Sequence, residues 1–146
     1  MNLSAPFMPQ FFTKELKAIL PYTDIIIGNE SEAEAWASAT GLSDIKDLPR
    51  IARSIALLPK SNPSHPRLVI FTQGAGQTVM VTSDEPDNSK TFPVNPLMDA
   101  QIVDTNGAGD AFAGGFVAAL VAGKNIDDSV LAGHRLARAC VQQVSF

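Results

Sequence analysis

Two unbroken apolar runs, Ile25-Ile26-Ile27 and Leu68-Val69-Ile70-Phe71, constrain the fold of this chain more than any other feature. A strand with one wet face alternates apolar and polar residues, whereas unbroken branched runs belong to strands covered on both faces, as in parallel sheets flanked by helices. The sequence around them supplies those helices. Phe12, Leu16, Ile19 and Leu20 recur at helical spacing over about residues 10–20, and Pro21 ends the pattern. Ser31, with Glu34 three residues on, has the spacing of a capping box and predicts a helix to about residue 40, stopped by Gly41. Asp47 opens a further helix in which Ile51, Ile55 and Leu58 share a face before Pro59. Thr78-Val79-Met80-Val81-Thr82, after the glycine-rich turn Gln73-Gly74-Ala75-Gly76-Gln77, reads as the hairpin partner of the second apolar run. Short strands are expected at residues 91–94 and 101–105, a helix over residues 107–122 with Gly123 as its stop, and a last helix capped by Asp127 or Asp128 and reaching about residue 143. Strand and helix alternate, so the expected class is α/β, with a mostly parallel sheet and helices on both faces. Residues 1–6 read as the tail of a strand that begins earlier, so the chain is expected to be a fragment.

A core is affordable, because 45% of the 146 residues are hydrophobic. With 11 basic against 15 acidic residues and a net charge of -4, no global positive field exists to hold nucleic acid or an anionic membrane, so any phosphate needs a local device. The single cysteine, Cys140, lies among apolar helix residues and reads as a small buried hydrophobe, consistent with a reducing compartment, cytoplasm or nucleus. The start of the chain lacks the pattern of a secretory leader, and no apolar run is long enough to span a bilayer.

The local device is Asp104-Thr105-Asn106-Gly107-Ala108-Gly109-Asp110. Gly107 and Gly109 tolerate positive φ and let a ligand approach the backbone, and the amides of Gly107, Ala108 and Gly109 at a helix start form an anion hole. Asp110 would repel an anion held there. A site that only stores phosphate would avoid that carboxylate, but one that transfers phosphoryl to an alcohol needs it as a base. A tight turn followed by a first-turn acidic residue explains the same residues without chemistry. Two other glycine motifs match weakly and are set aside: a dinucleotide fingerprint needs glycine where Phe112 stands, and Gly123-Lys124 is followed by Asn125 rather than Ser or Thr.

Residues 104–116, Asp-Thr-Asn-Gly-Ala-Gly-Asp-Ala-Phe-Ala-Gly-Gly-Phe, resemble the C-terminal signature of the ribokinase-like (PfkB) carbohydrate and nucleoside kinases. The stretches at residues 2–7, 28–36 and 70–78 are similar to the adenosine kinase branch of that family. The resemblance implies a three-layer α/β sandwich whose N-terminal part and lid are missing, with residues 1–146 forming the ATP-binding and catalytic portion. It implies Asp110 as catalytic base and Gly107, Ala108 and Gly109 as anion hole. Asn29 and Glu32 would organise the water shell of Mg2+ and the ATP phosphates, though the acidic residues Glu32 and Glu34 also suit a helix dipole. Thr72, Gly74, Gly76 and Asn106 would border the nucleotide, although a glycine turn between strands is also an ordinary hairpin. His134 would border adenine, where a packed histidine is the bland alternative. Trp36, Phe11, Phe12, Phe112 and Phe116 are expected in the core. The implied reaction is phosphorylation of adenosine at its 5′-hydroxyl by ATP, giving AMP in purine salvage. The acceptor half is absent, so the chain alone is expected to be inactive and to need the missing half or a full-length relative. A nucleotide-binding regulatory fragment and a sugar kinase of the same fold are the alternatives.

Overall fold

A computed structural model of the chain describes residues 1–143. It divides into two compact units, Met1–Pro93 and a second starting at Val94. The first unit contains helices α1 (Phe7–Phe11), α2 (Thr13–Ile19), α3 (Glu30–Thr40) and α4 (Leu48–Ala56) and strands β1 (Ile25–Asn29), β2 (Leu68–Thr72), β3 (Thr78–Thr82) and β4 (Lys90–Phe92). The second contains α5 (Ala108–Val121) and α6 (Ile126–Val141).

The strand order is β1-β2-β3-β4, with β1 and β2 parallel and the two later pairs antiparallel. The sheet is therefore mixed. β1 and β2 are joined through α3 and α4, long enough for a parallel crossover, whereas the short turn after Thr72 permits only an antiparallel return. On the far side of β1, Asn2 makes a parallel bridge to Ile27, as a strand-like reading of residues 1–6 requires. Ile26, Val69, Phe71, Val79 and Val81 form one core cluster with Leu16 and Leu20, with Ala33, Trp36 and Ala37 of α3, and with Ile51, Ala52 and Ile55 of α4. Ile27, Ile70 and Met80, which point to the opposite face, are buried too. That double burial is why the sequence runs apolar without alternation.

Local chemistry moves several expected boundaries. The first helix is two, because the chain breaks at Phe12 (φ -119°), and Pro21 sits inside a following 3-10 turn, Leu20–Tyr22. Phe11 and Phe12 are 71% and 44% exposed, contrary to the expected core role, while Trp36, Phe112 and Phe116 are buried. The core side of these short helices is carried by Pro9, Leu16 and Leu20 instead. α3 is capped by Asn29 and Glu32, not by Ser31 and Glu34, because the extended backbone of β1 runs straight to Asn29 and turns helical there. Asn125 rather than Asp127 or Asp128 caps α6, its Oδ1 accepting the amide of Asp128 at 2.8 Å. The expected strand at residues 101–105 does not form, since the amides of Val103 and Asp104 donate to the carbonyl of Val141 (2.8 and 3.3 Å) instead of to a sheet. The cap of α4 by Asp47 and the left-handed stops at Gly41 and Gly123 are as expected.

Candidate phosphoryl-transfer site

In the first unit the expected site residues collect at the C-terminal ends of the parallel strands, where ligands bind in open α/β sheets. Asn29 ends β1 and pairs in register with Thr72, which ends β2. Asn29 and Glu32 form a reciprocal capping box. The amide of Asn29 donates to Glu32 Oε2 (3.1 Å), its Nδ2 to Oε1 (3.0 Å), and its Oδ1 accepts from the amide of Glu32 (2.9 Å). Glu32 is only 4% exposed, which a carboxylate tolerates because charge-assisted bonds replace its water. Gly28 makes room for it: a Cβ there would lie 2.9 Å from Glu32 Oε2. This glycine was not anticipated as part of the site, although a glycine directly before a strand-ending Asn marks such an approach.

Thr72 donates its hydroxyl to the carbonyl of Gly28 (3.4 Å), tying the two strand ends together. The turn beyond it is exposed. Gly74 takes a left-handed φ of +54°, and the amide of Gly76 donates to the carbonyl of Gln73 at 2.7 Å.

In the second unit Asn106, Gly107, Ala108, Gly109 and Asp110 form one turn at the start of α5. Gly107 is the cap residue, with φ 75° and ψ -4°. Only this glycine uses the left-handed region; Gly109, expected to do so too, has helical backbone and open space where a Cβ would go. The incoming limb is held by Asp104, whose Oδ1 accepts the amide of Asn106 (2.8 Å), an Asx-type turn legible in the spacing of the two residues. Asp110 lies exposed in the first turn of α5. At this position a carboxylate meets the positive end of the helix and the amides that have no carbonyl one turn back.

His134 of α6 is half-buried, its ring 5.5 Å from that of Phe112, two residues beyond Asp110. Burial lowers its pKa below the ordinary histidine value, which favours the neutral ring. Cys140 is also half-buried rather than buried. Its thiol donates to the carbonyl of Asn106 (Sγ to O 3.6 Å).

Among the described residues no group of three or more His, Cys, Asp or Glu side chains is placed to grip a metal ion directly. Both Glu32 oxygens are already engaged by Asn29, which suits an ion held through its own waters better than direct chelation. Among the described residues no helix is long and apolar enough to cross a membrane.

The model of the pfkB family carbohydrate kinases matches residues 1–146. Adenosine kinase of Schizophyllum commune is 59% identical over 144 residues, a match covering 99% of this chain and 42% of the relative. The crystal structure of Anopheles gambiae adenosine kinase in complex with P1,P4-di(adenosine-5) tetraphosphate is 44% identical with a TM-score of 0.94, covering 98% of this chain and 41% of that one. Ribokinase from Thermotoga maritima, 27% identical with a TM-score of 0.73 over 88% of this chain and 39% of its own, has the same fold. This chain thus spans about two-fifths of the length of these relatives. The α/β fold is ribokinase-like, and with its full sequence matched by the family model the chain belongs to the pfkB family of carbohydrate kinases.

Proposed function

We propose that this chain is the ATP-side, catalytic portion of an adenosine kinase. The observation that carries the proposal is the turn at Gly107, whose left-handed backbone presents helix-start amides and the exposed carboxylate of Asp110 together. Asp110 accepts the proton of the adenosine 5′-hydroxyl as its oxygen bonds to the γ-phosphorus, while the bond from that phosphorus to the β,γ-bridging oxygen breaks and ADP departs. The amides of Gly107, Ala108 and Gly109 stabilise the charge on the moving group.

Asn29 and Glu32 would hold magnesium through its waters, and the chemistry supplied by that ion is neutralisation of charge on the ATP phosphates. The capping box fixes the Glu32 carboxylate at the end of β1, where it could accept from such waters. Thr72, Gly74, Gly76 and Asn106 border the nucleotide in this reading. The neutral ring of His134, backed by Phe112, suits an uncharged adenine better than a phosphate. Support for adenosine as acceptor comes from adenosine kinases that are 59% and 44% identical to this chain over nearly all of its length.

The test is Asp110→Asn in the completed enzyme, meaning this chain together with the portion of an adenosine kinase relative that it does not cover. The shape is kept and the proton acceptor lost, so kcat should fall by roughly 10²- to 10⁴-fold. ATP affinity should hold or rise, because a negative charge beside the phosphates is removed. A folded variant keeping more than about a tenth of the parent rate contradicts Asp110 as the base.

A further inference from the structure

Helix α6 grips both limbs of the Asp110 turn. On the incoming limb, the amides of Val103 and Asp104 both donate to the carbonyl of Val141 in its last turn. One helical position earlier, the Cys140 thiol donates to the carbonyl of Asn106, and its sulfur lies 3.7 Å from where a Cβ on Gly107 would be. On the outgoing limb the contact is tighter. A Cβ on Gly133 would lie 2.8 Å from two ring carbons of Phe112 and 2.9 Å from its carbonyl oxygen, so the bare backbone of α6 is what lets α5 lie where it does. Gly115 of α5 makes the complementary approach, where a Cβ would meet the carbonyl of Ala132 at 2.8 Å. A helix that needed only to cover apolar surface would not require backbone contact at one limb and carbonyl capping at the other.

We infer that α6 acts as a splint for the Asp110 turn, with Gly133 and Cys140 as positioning residues; this rests on the phosphoryl-transfer reading of that turn. The splint sets where the Asp110 carboxylate and the first-turn amides stand, and an added atom at Gly133 displaces α5 from its base. General-base transfer is sensitive to such displacement, since a misplacement of about 1 Å costs on the order of 10²-fold in rate.

The test compares Gly133→Ala with Gly114→Ala, the same chemical change one helix over, where a Cβ meets nothing within 4 Å. In the completed enzyme Gly133→Ala should lower kcat by about 10- to 100-fold with the KM for adenosine changed less than about twofold, while Gly114→Ala stays near the parent. Cys140→Ala, which keeps the helix packing, should lower kcat by about 3- to 10-fold, and Cys140→Ser, which keeps a donor, should recover it. If Gly133→Ala does not fold, the cysteine pair decides. Parent-like kcat in Cys140→Ala, or losses in Gly114→Ala equal to those in Gly133→Ala, would overturn the inference. An inactive parent would instead count against the kinase reading. The splint is then judged on this chain by amide exchange at Val103 and Ala111, whose amides donate to the carbonyls of Val141 and Gly107, expected to accelerate at least about tenfold in Gly133→Ala and not in Gly114→Ala. Equal protection in both overturns it.

Discussion

Gly107 and Gly109 stand two residues apart in one motif but answer to different constraints. Gly107 needs its missing side chain for its own backbone, at φ 75°, whereas Gly109 is helical and has nothing near the position of a Cβ. Gly107→Ala should therefore cost about 1–2 kcal/mol of stability through left-handed strain. Gly109→Val should leave the melting temperature nearly unchanged yet weaken ATP binding by at least about tenfold, because its side chain would fill space reserved for phosphate. Unchanged ATP affinity in Gly109→Val would refute the anion-hole role. His134 gives a second residue-scale expectation. Its folded pKa lies below the ordinary histidine value because it is partly buried, so the unfolded chain takes up its proton first as pH falls. The contribution is nil above the ordinary value and becomes a loss of stability as pH drops below it. Denaturant midpoints at pH 7.5 and 5.5 should diverge in the parent and converge in His134→Phe. An identical pH dependence in both would exclude His134 as the source.

Elements were easier to foresee than the contacts that fix their ends. The strands β1, β2 and β3 and the helices α3 to α6 follow from apolar runs and helical spacing, because burial on one or both faces writes itself into composition. Their caps were less legible. Ser31 was expected to head the capping box of α3 and Asn29 heads it instead, an outcome that depends on how far β1 extends, which is set by pairing with β2 rather than by local sequence. The expected strand at residues 101–105 failed for a similar reason, since the partner for its amides is the carbonyl of Val141, far along the chain. Arg67 was not anticipated at all. It is fully buried at the head of β2, where its guanidinium donates to the carbonyls of Leu20, Thr23, Ile55, Ala56, Leu58 and Pro59. Burial lowers its pKa and the charge of Asp24 opposes that shift. It closes the C-terminal ends of the 3-10 turn and α4, where a cation also complements the helix dipole. Arg67→Met should cost at least about 3 kcal/mol in denaturant unfolding, because several buried carbonyls lose their donors together. A loss below about 1 kcal/mol would mean that water replaces them.

At the scale of the whole molecule, chemistry and acceptor binding part company. The candidate base, the anion hole and the Asn29–Glu32 pair all lie in this chain, and their motifs were legible because each is local in sequence. Acceptor choice was not legible, because this chain spans 42% of its Schizophyllum commune relative and the rest of such a protein has no counterpart in it. Catalysis needs the hydroxyl held in line with the γ-phosphorus, so the chain by itself is expected to form no measurable AMP from adenosine and ATP. The most direct measurement is co-expression of this chain with the portion of the Schizophyllum commune adenosine kinase that it does not cover, followed by purification of the complex and assay of AMP formation. The account predicts ATP-dependent AMP formation by the complex, none by either piece alone, and its loss in Asp110→Asn. A complex that forms, binds ATP and adenosine, and makes no AMP would contradict the claim that this chain carries the phosphoryl-transfer machinery.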